Sequence, residues 1–428
     1  MRKFLLILTL HFFVGATAQV KTVREQANIV NEVLADRFNN LLPTLMDRAN
    51  MDCWVLMTRE YNEDPIVKTM LPAEWLGARR RTILVFYRNK EKNTIEKYAV
   101  ARYAVGTEIA AAWDVAAYPN QWDALTALLR KLNPGKIGIN TSADYGHADG
   151  LDHTEYLELM NALNTTEQAK VVSAEPLAVS WLETRTEKEM KLYPTLLKIT
   201  HAIIKEGFSN KVIKPNVTTT QDLVWWFRQQ LSDKGLITWF HPSIEIQRRV
   251  SNEKDKVIRP GDFLHVDFGI TYLRLNSDVQ EQAYVLLPNE KTVPDNLQAA
   301  FTTTNKLQDF LTNEFALGKS GNEILKQALT NAKAAGINPS IYTHPIGFHG
   351  HAAGTTIGMW DMQNGVPGSG DYTMKANTSY SIELNATHTL AGWDKPVKVA
   401  LEQNGFFNGT RFDYIDGRQT KIHAIQSK

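Results

Sequence analysis

The chain has 428 residues, 43% hydrophobic and 22% charged. This is close to the average for soluble globular proteins and excludes disorder, collagen and coiled coil as descriptions of the whole. Forty-seven Lys and Arg stand against 46 Asp and Glu, a formal charge of +1 with no long basic block. That argues against nucleic acid as a main partner, because phosphate binding needs a dense positive surface.

The first 18 residues read as a secretory signal peptide. Arg2 and Lys3 supply the charged start, Phe4 to Val14 the apolar segment, and Ala16-Thr17-Ala18 a small-residue cleavage site. The mature chain then begins at Gln19 and is expected to be secreted or periplasmic. No later stretch offers about 18 consecutive apolar residues, so no membrane span is expected after removal of the signal.

From Glu25 to about Ala49, apolar residues recur at helical spacing, with Pro43 placed to bend or split the helix. Strands are predicted at Cys53 to Met57, Thr82 to Tyr87 and Tyr98 to Tyr103, then a helix at Asp123 to Leu132 and a short strand from Lys136 to Asn140. This alternation predicts an α/β layer. Cys53, the single cysteine, can form no internal disulfide, and its apolar neighbours Trp54, Val55, Leu56 and Met57 assign it to the core. A long charged helix is predicted between about Pro176 and Ile204, with a capping box formed by Thr186 and Glu189. The domain junction is placed near Leu177 to Glu183. Further helices are predicted at Thr219 to Ser232, Asp295 to Leu311 and Asn322 to Ala335, among strand-like segments, which gives the second half an α+β character.

Chemistry concentrates in that half. Phe263 to Phe268 reads as a strand carrying Asp267, Gly269 permits a turn, and Asp278 stands at the start of the return strand. Carboxylates at facing ends of a hairpin can converge on a hard cation, although Asp is also common in turns. His344, His349 and His351 fall within eight residues, and imidazole is the commonest transition-metal ligand. Glu383 and Glu402 follow in strand-like apolar settings, where a glutamate is costly to bury unless paired or metal-bound.

The order Asp, ten residues, Asp, then His-x-Ile-Gly-x-x-x-His, then two strand glutamates resembles the M24 metallopeptidases of the pita-bread fold. That family includes methionine aminopeptidase, aminopeptidase P, prolidase and creatinase. The resemblance covers residues from about 184 onward and extends to an α/β creatinase-like N-terminal domain. Behind the signal peptide over 1–18, it implies an α/β domain over 19–180 and a pita-bread metallohydrolase domain over 181–428. It further implies two divalent ions, Mn, Fe, Co or Zn, with Asp267 on one, Asp278 and Glu402 bridging, and His344 with Glu383 completing the second. Glu383 would be the proton shuttle, and His351 would contact the substrate or the tetrahedral intermediate. His349 has no assigned counterpart; a partner of the ligands and a plain loop histidine both remain open. The implied substrates are short peptides, above all Xaa-Pro, and a homodimer is left open as the assembly.

The chain also departs from the family's pattern. Glu383-Leu384-Asn385 stands where proline-directed members have Glu-Pro-Gly, and Asp278-Val279-Gln280-Glu281 where they have Asp-Ile-Thr-Arg. Two further histidine positions become Val250 and Ser340. His241, Trp360 and Asp361 are therefore candidate pocket residues. The alternatives are a non-peptide small amide or C–N substrate and a non-catalytic binding module.

Overall fold

The computed structural model describes residues 20–250 and 255–427. The expected signal peptide lies outside the described residues. The periodic segment after it forms α1 (Val23–Asp36) and α2 (Leu42–Arg48), joined by a π-helical stretch, Arg37–Leu41. Pro43 explains the division: it has no N–H to give and sits in the first turn of α2, where none is needed. The π-helical stretch buries both Arg37 and Phe38.

The N-terminal half continues with β1 (Cys53–Arg59), α3 (Pro65–Met70), β2 (Arg81–Asn89), β3 (Thr94–Val100), β4 (Ala110–Ala111), α4 (Gln121–Leu132) and β5 (Ile137–Ile139). Then come α5 (His153–Ala162), α6 (Thr165–Gln168), β6 (Val171–Ser173) and α7 (Glu175–Glu183). The strands form one sheet in the order β4-β3-β2-β1-β5-β6. Alternation along β1 sends Trp54 and Leu56 to a core shared with Phe38, Leu42 and Trp181, and Cys53, Val55 and Met57 to one shared with Leu125 and Leu159. Both faces of the sheet are thus covered, as the α/β reading requires, and Cys53 is core. The expected strand at Tyr98 to Tyr103 is displaced toward the N-terminus. Its pairing with β2 runs from Asn89 opposite Thr94 to Ile83 opposite Val100, and Ala101 to Tyr103 lie beyond it.

The second half contains α8 (Glu187–Gly207), α9 (Thr220–Asp233), β7 (Ser243–Gln247), β8 (Phe263–Phe268), β9 (Thr271–Tyr272), β10 (Leu275–Asn276) and β11 (Val279–Val285). These are followed by α10 (Asp295–Thr312), α11 (Gly321–Ala334), β12 (Pro339–Ile341), β13 (His344–Pro345), β14 (Thr378–His388) and β15 (Val397–Phe407). The charged helix expected to open at Thr184 to Met190 is α8, which starts at Glu187, and the stretch before it forms a separate helix, α7. Thr186 and Glu189 do form the capping box, and the extended backbone that a capping residue adopts interrupts the helix. Residues 177–183, where the junction was expected, lie within α7, and Leu177, Ala178, Val179, Trp181 and Leu182 belong to the N-terminal core.

The second sheet runs β12-β14-β15-β11-β8-β7, with β13 also paired to β14. Its two faces differ in chemistry. Leu264, Val266 and Phe268 of β8 and Val279, Ala283 and Val285 of β11 pack with residues of α8 and α9; Ile382 and Leu384 of β14 and Val399 and Leu401 of β15 pack with α10 and α11. Period-two alternation therefore turns Asp267, Gln280, Glu383 and Glu402 to the opposite face. This is why Glu383 can stand between Ile382 and Leu384 without entering the apolar core.

The two halves meet at a buried ionic cluster. Arg37 Nη1 lies 2.8 Å from Glu189 Oε2, and Arg185 Nη1 lies 2.9 Å from Glu189 Oε1. Arg37 also donates to the carbonyls of Thr184 and Trp181, and Arg185 to that of Leu182. Both guanidinium carbons stand 4.8 Å from the Phe348 ring, and Gly347 allows the backbone to approach Arg185. The histidine segment thus rests on a charge cluster contributed by both halves. Removing one partner of a buried pair leaves uncompensated charge, so Glu189→Gln should lower stability by about 3–5 kcal/mol, read as an earlier urea midpoint.

Candidate metal centre

Strand register assembles the site. Glu383 of β14 is directly opposite Glu402 of β15, Glu402 is opposite Gln280 of β11, and Gln280 is opposite Asp267 of β8. Four strands therefore present one row of side chains on one face. Asp278 is two residues before Gln280 and His344 is paired with Ser381, two residues before Glu383, so alternation brings both to the same side. Ligand atoms of Asp267, Asp278 and Glu402 lie within 4.8 Å of one another, as do those of His344, Glu383 and Glu402. Glu402 belongs to both groups.

The donor atoms are prepared for a cation. His344 Nδ1 is 3.0 Å from the Pro345 carbonyl oxygen, which only accepts, so the proton sits on Nδ1 and the Nε2 lone pair is free. That Nε2 points between Asp278 Oδ2 at 3.8 Å and Glu402 Oε1 at 3.7 Å. Three acceptors facing each other repel unless something positive stands among them. Among the described residues, His344 Nε2, Asp267 Oδ1 and Asp278 Oδ1 are also buried without hydrogen-bond partners. Carboxylate oxygens with one imidazole suit Mn²⁺, Fe²⁺, Co²⁺ or Zn²⁺. The residues present therefore fit divalent metal.

Supporting bonds hold the acids in place. Ser381 donates to Glu402 Oε1 at 2.7 Å and receives a bond from Asn404, whose side chain also spans the backbone of Asp278. Burial, followed by the repulsion of Glu402, holds the carboxyls of Asp267, Asp278 and Glu383 well above the usual range in the metal-free protein.

His351 joins this assembly. One of its ring nitrogens lies within 4.8 Å of ligand atoms of Asp278 and His344. Its ring meets His344 at 4.7 Å, Trp239 at 5.1 Å and Tyr342 at 5.7 Å between centroids. One edge of His351 is exposed to solvent, but partial burial of the imidazole and the neighbouring His344 push it down to about 4, so it is neutral near pH 7. Trp239 and Tyr342 were not singled out in the sequence. The Trp239-Phe240-His241 run was a usable signal, but attention fell on its histidine. Gly350 permits the contact, since a Cβ there would fall 2.2 Å from the Trp239 ring.

The other predicted residues lie elsewhere. His241 is exposed, bonded to Arg228 at 3.2 Å and edge-on to Trp225. Trp360 is 76% exposed and Asp361 is exposed beside it, in a turn closed between Met359 and Met362; neither forms an apolar wall over the acids. His349 stacks on His147 of the N-terminal half at 4.2 Å, and burial pushes its imidazole down to about 3. Leu384 is buried on the helical face, so its difference from proline does not face the acids.

The sequence profile of metallopeptidase family M24 matches residues 195–412, half of the chain. The chain belongs to metallopeptidase family M24. Among solved structures it is similar to an X-Pro aminopeptidase from Thermotoga maritima MSB8, with 13% identity, a TM-score of 0.63, and 89% of this chain and 99% of that one covered. An Xaa-Pro dipeptidase from Bacillus anthracis gives 15%, 0.57, 94% and 100%. The N-terminal domain of the FACT complex subunit SPT16 from chickpea, Cicer arietinum, gives 12%, 0.54, 94% and 99%. No curated protein sequence matches the chain. At such identities the likeness is one of fold: the M24 pita-bread fold behind a creatinase-like N-terminal layer.

A carboxyl whose pKa is raised by folding contributes stability below its unfolded value of about 4 and loses it as pH rises through the folded value. Chelated protein should therefore melt lower at pH 8 than at pH 5, and saturating Mn²⁺ should raise the pH 8 midpoint more. Equal midpoints without metal would mean that the acids do not repel one another.

Proposed function

We propose that this M24 metallopeptidase is exported and hydrolyses short peptides, with Xaa-Pro dipeptides as the first substrates to try, at a centre holding two divalent ions. The observation that carries the reading is the row of acids completed by the free Nε2 of His344. The fold alone is insufficient, because one architecture hosts unrelated functions. Two ligand groups sharing Glu402, with Asp278 beside both His344 and Asp267, support two ions.

Divalent ions held there would polarise the scissile carbonyl and lower the pKa of a water. The chain's own residues do the rest. Asp267, Asp278, His344, Glu383 and Glu402 hold the ions, and Glu383 accepts the proton of the attacking water and returns it to the leaving nitrogen. His351, kept neutral and walled by Trp239 and Tyr342, donates a hydrogen bond to the oxygen on which negative charge develops. The burial of Leu384 away from the acids supports the peptide reading over a non-peptide amide, since that departure leaves the catalytic face unchanged.

His351→Ala should lower kcat about a hundredfold with metal content retained. Loss of metal from that variant would make His351 a ligand instead. Xaa-Pro and non-proline dipeptides should be assayed after loading with Mn, Fe, Co or Zn; a kcat/KM above about 10⁴ M⁻¹s⁻¹ on Xaa-Pro supports the substrate reading, and preference for another amide overturns it. Export is checked by N-terminal sequencing of the mature protein, expected to start at Gln19.

A further inference from the structure

Gln280 occupies the middle of the acid row, with Asp267 on one side and Glu402 on the other. It is the uncharged member of that row. Its Nε2 lies 2.9 Å from Glu383 Oε1, and its Oε1 lies 2.9 Å from His265 Nε2. His265 is on β8, two residues before Asp267, and is buried.

The polarity of this chain of three groups follows from elementary chemistry. When metal is bound Glu383 is ionised, and an ionised carboxylate only accepts, so the NH₂ of Gln280 faces Glu383. The amide carbonyl consequently faces His265, which must carry a proton on Nε2. His265 Nδ1 is left buried without a hydrogen-bond partner among the described residues, 3.8 Å from the exposed Glu245 carboxylate.

Glu383 otherwise meets repulsion. Burial, Glu402 and Asp267 all disfavour its charge, whereas the hydrogen bond from the Gln280 amide and the charge of Lys398 favour it. One oxygen held by a donor also fixes the plane of a carboxylate, which strand pairing alone leaves free to rotate. A threonine, the residue of the related Asp-Ile-Thr-Arg pattern, is too short to span both Glu383 and His265.

We propose that Gln280, itself braced by His265, is a positioning residue that fixes the Glu383 carboxylate for metal and substrate. The inference rests on the reading of Glu383 as a ligand and proton carrier. Changes in groups that orient metal ligands commonly cost 10–100-fold in metal affinity or activity.

The test uses the full chain, with Gln280→Met as a near-isosteric side chain that makes no hydrogen bond. Calorimetric titration of the metal-free variant with Mn²⁺ should show affinity weakened about 10- to 100-fold, and kcat should fall about tenfold or more with KM little changed. Unaltered affinity and kcat would overturn the proposal, as would losses that only follow a fall in folded fraction. A readout on the unmodified protein does not depend on the variant folding: ¹⁵N-histidine spectra of the zinc-loaded form should show His265 as the Nε2–H tautomer. An Nδ1–H tautomer reverses the amide and sinks the idea. Glu383→Gln separates the two levels. If it keeps metal and turnover, the reading of the site fails; if it loses them while Gln280→Met is silent, only the positioning role fails.

Discussion

Pairing of β-strands forces like charges together. Residues directly opposite on antiparallel strands have Cβ atoms about 4.5–5.5 Å apart, and here such pairing sets Glu383 against Glu402 while alternation adds Asp278 to the same face. Nothing in the acids themselves favours this arrangement. It is imposed by eleven consecutive register pairs between β14 and β15 and by the apolar packing of Ile382, Leu384, Val399 and Leu401 behind them. The helices α8 to α11 thereby supply hydrophobic free energy that holds a repulsive set of oxygens in place.

How much of this could be read in the chain depends on what kind of information each feature needs. The Phe263–Phe268 strand and the order of Asp267, Asp278, His344, Glu383 and Glu402 are local patterns and were legible. So was the break at Pro43, because proline acts on its own backbone. The start of α8 was legible too, because the capping box of Thr186 and Glu189 is local, whereas the separate helix α7 before it was not read. Register was not legible as a whole: Asp267 and Gln280 pair across a short hairpin, but Gln280 meets Glu402 on a strand more than a hundred residues further on. This is why Gln280 stood out in the sequence only as a departure, and why its place beside Glu402 came from the structure. His241, Trp360 and Asp361 failed as pocket residues for a related reason: nearness in sequence to a motif does not say which way a loop side chain turns.

The environment of His351 shows how a flexible segment is given a definite shape. Gly347 and Gly350 let the backbone press on Arg185 and Trp239, while His344 and Tyr342 confine the ring from other sides. Packing thus fixes a residue that lies outside the regular strands, and orientation of this kind is what catalysis by a neutral imidazole requires.

The Arg37–Glu189–Arg185 cluster bears on how the polypeptide is assembled as it is made. Arg37 lies in the first helical segment among the described residues, yet its carboxylate partner comes only with the start of α8, and Phe348 comes later still. Until α8 forms, a guanidinium destined for a dry interior has only backbone carbonyls to meet it. The N-terminal layer consequently reaches its finished packing only when α8 and the histidine segment are in place, so its closure is tied to that of the half that carries the catalytic face.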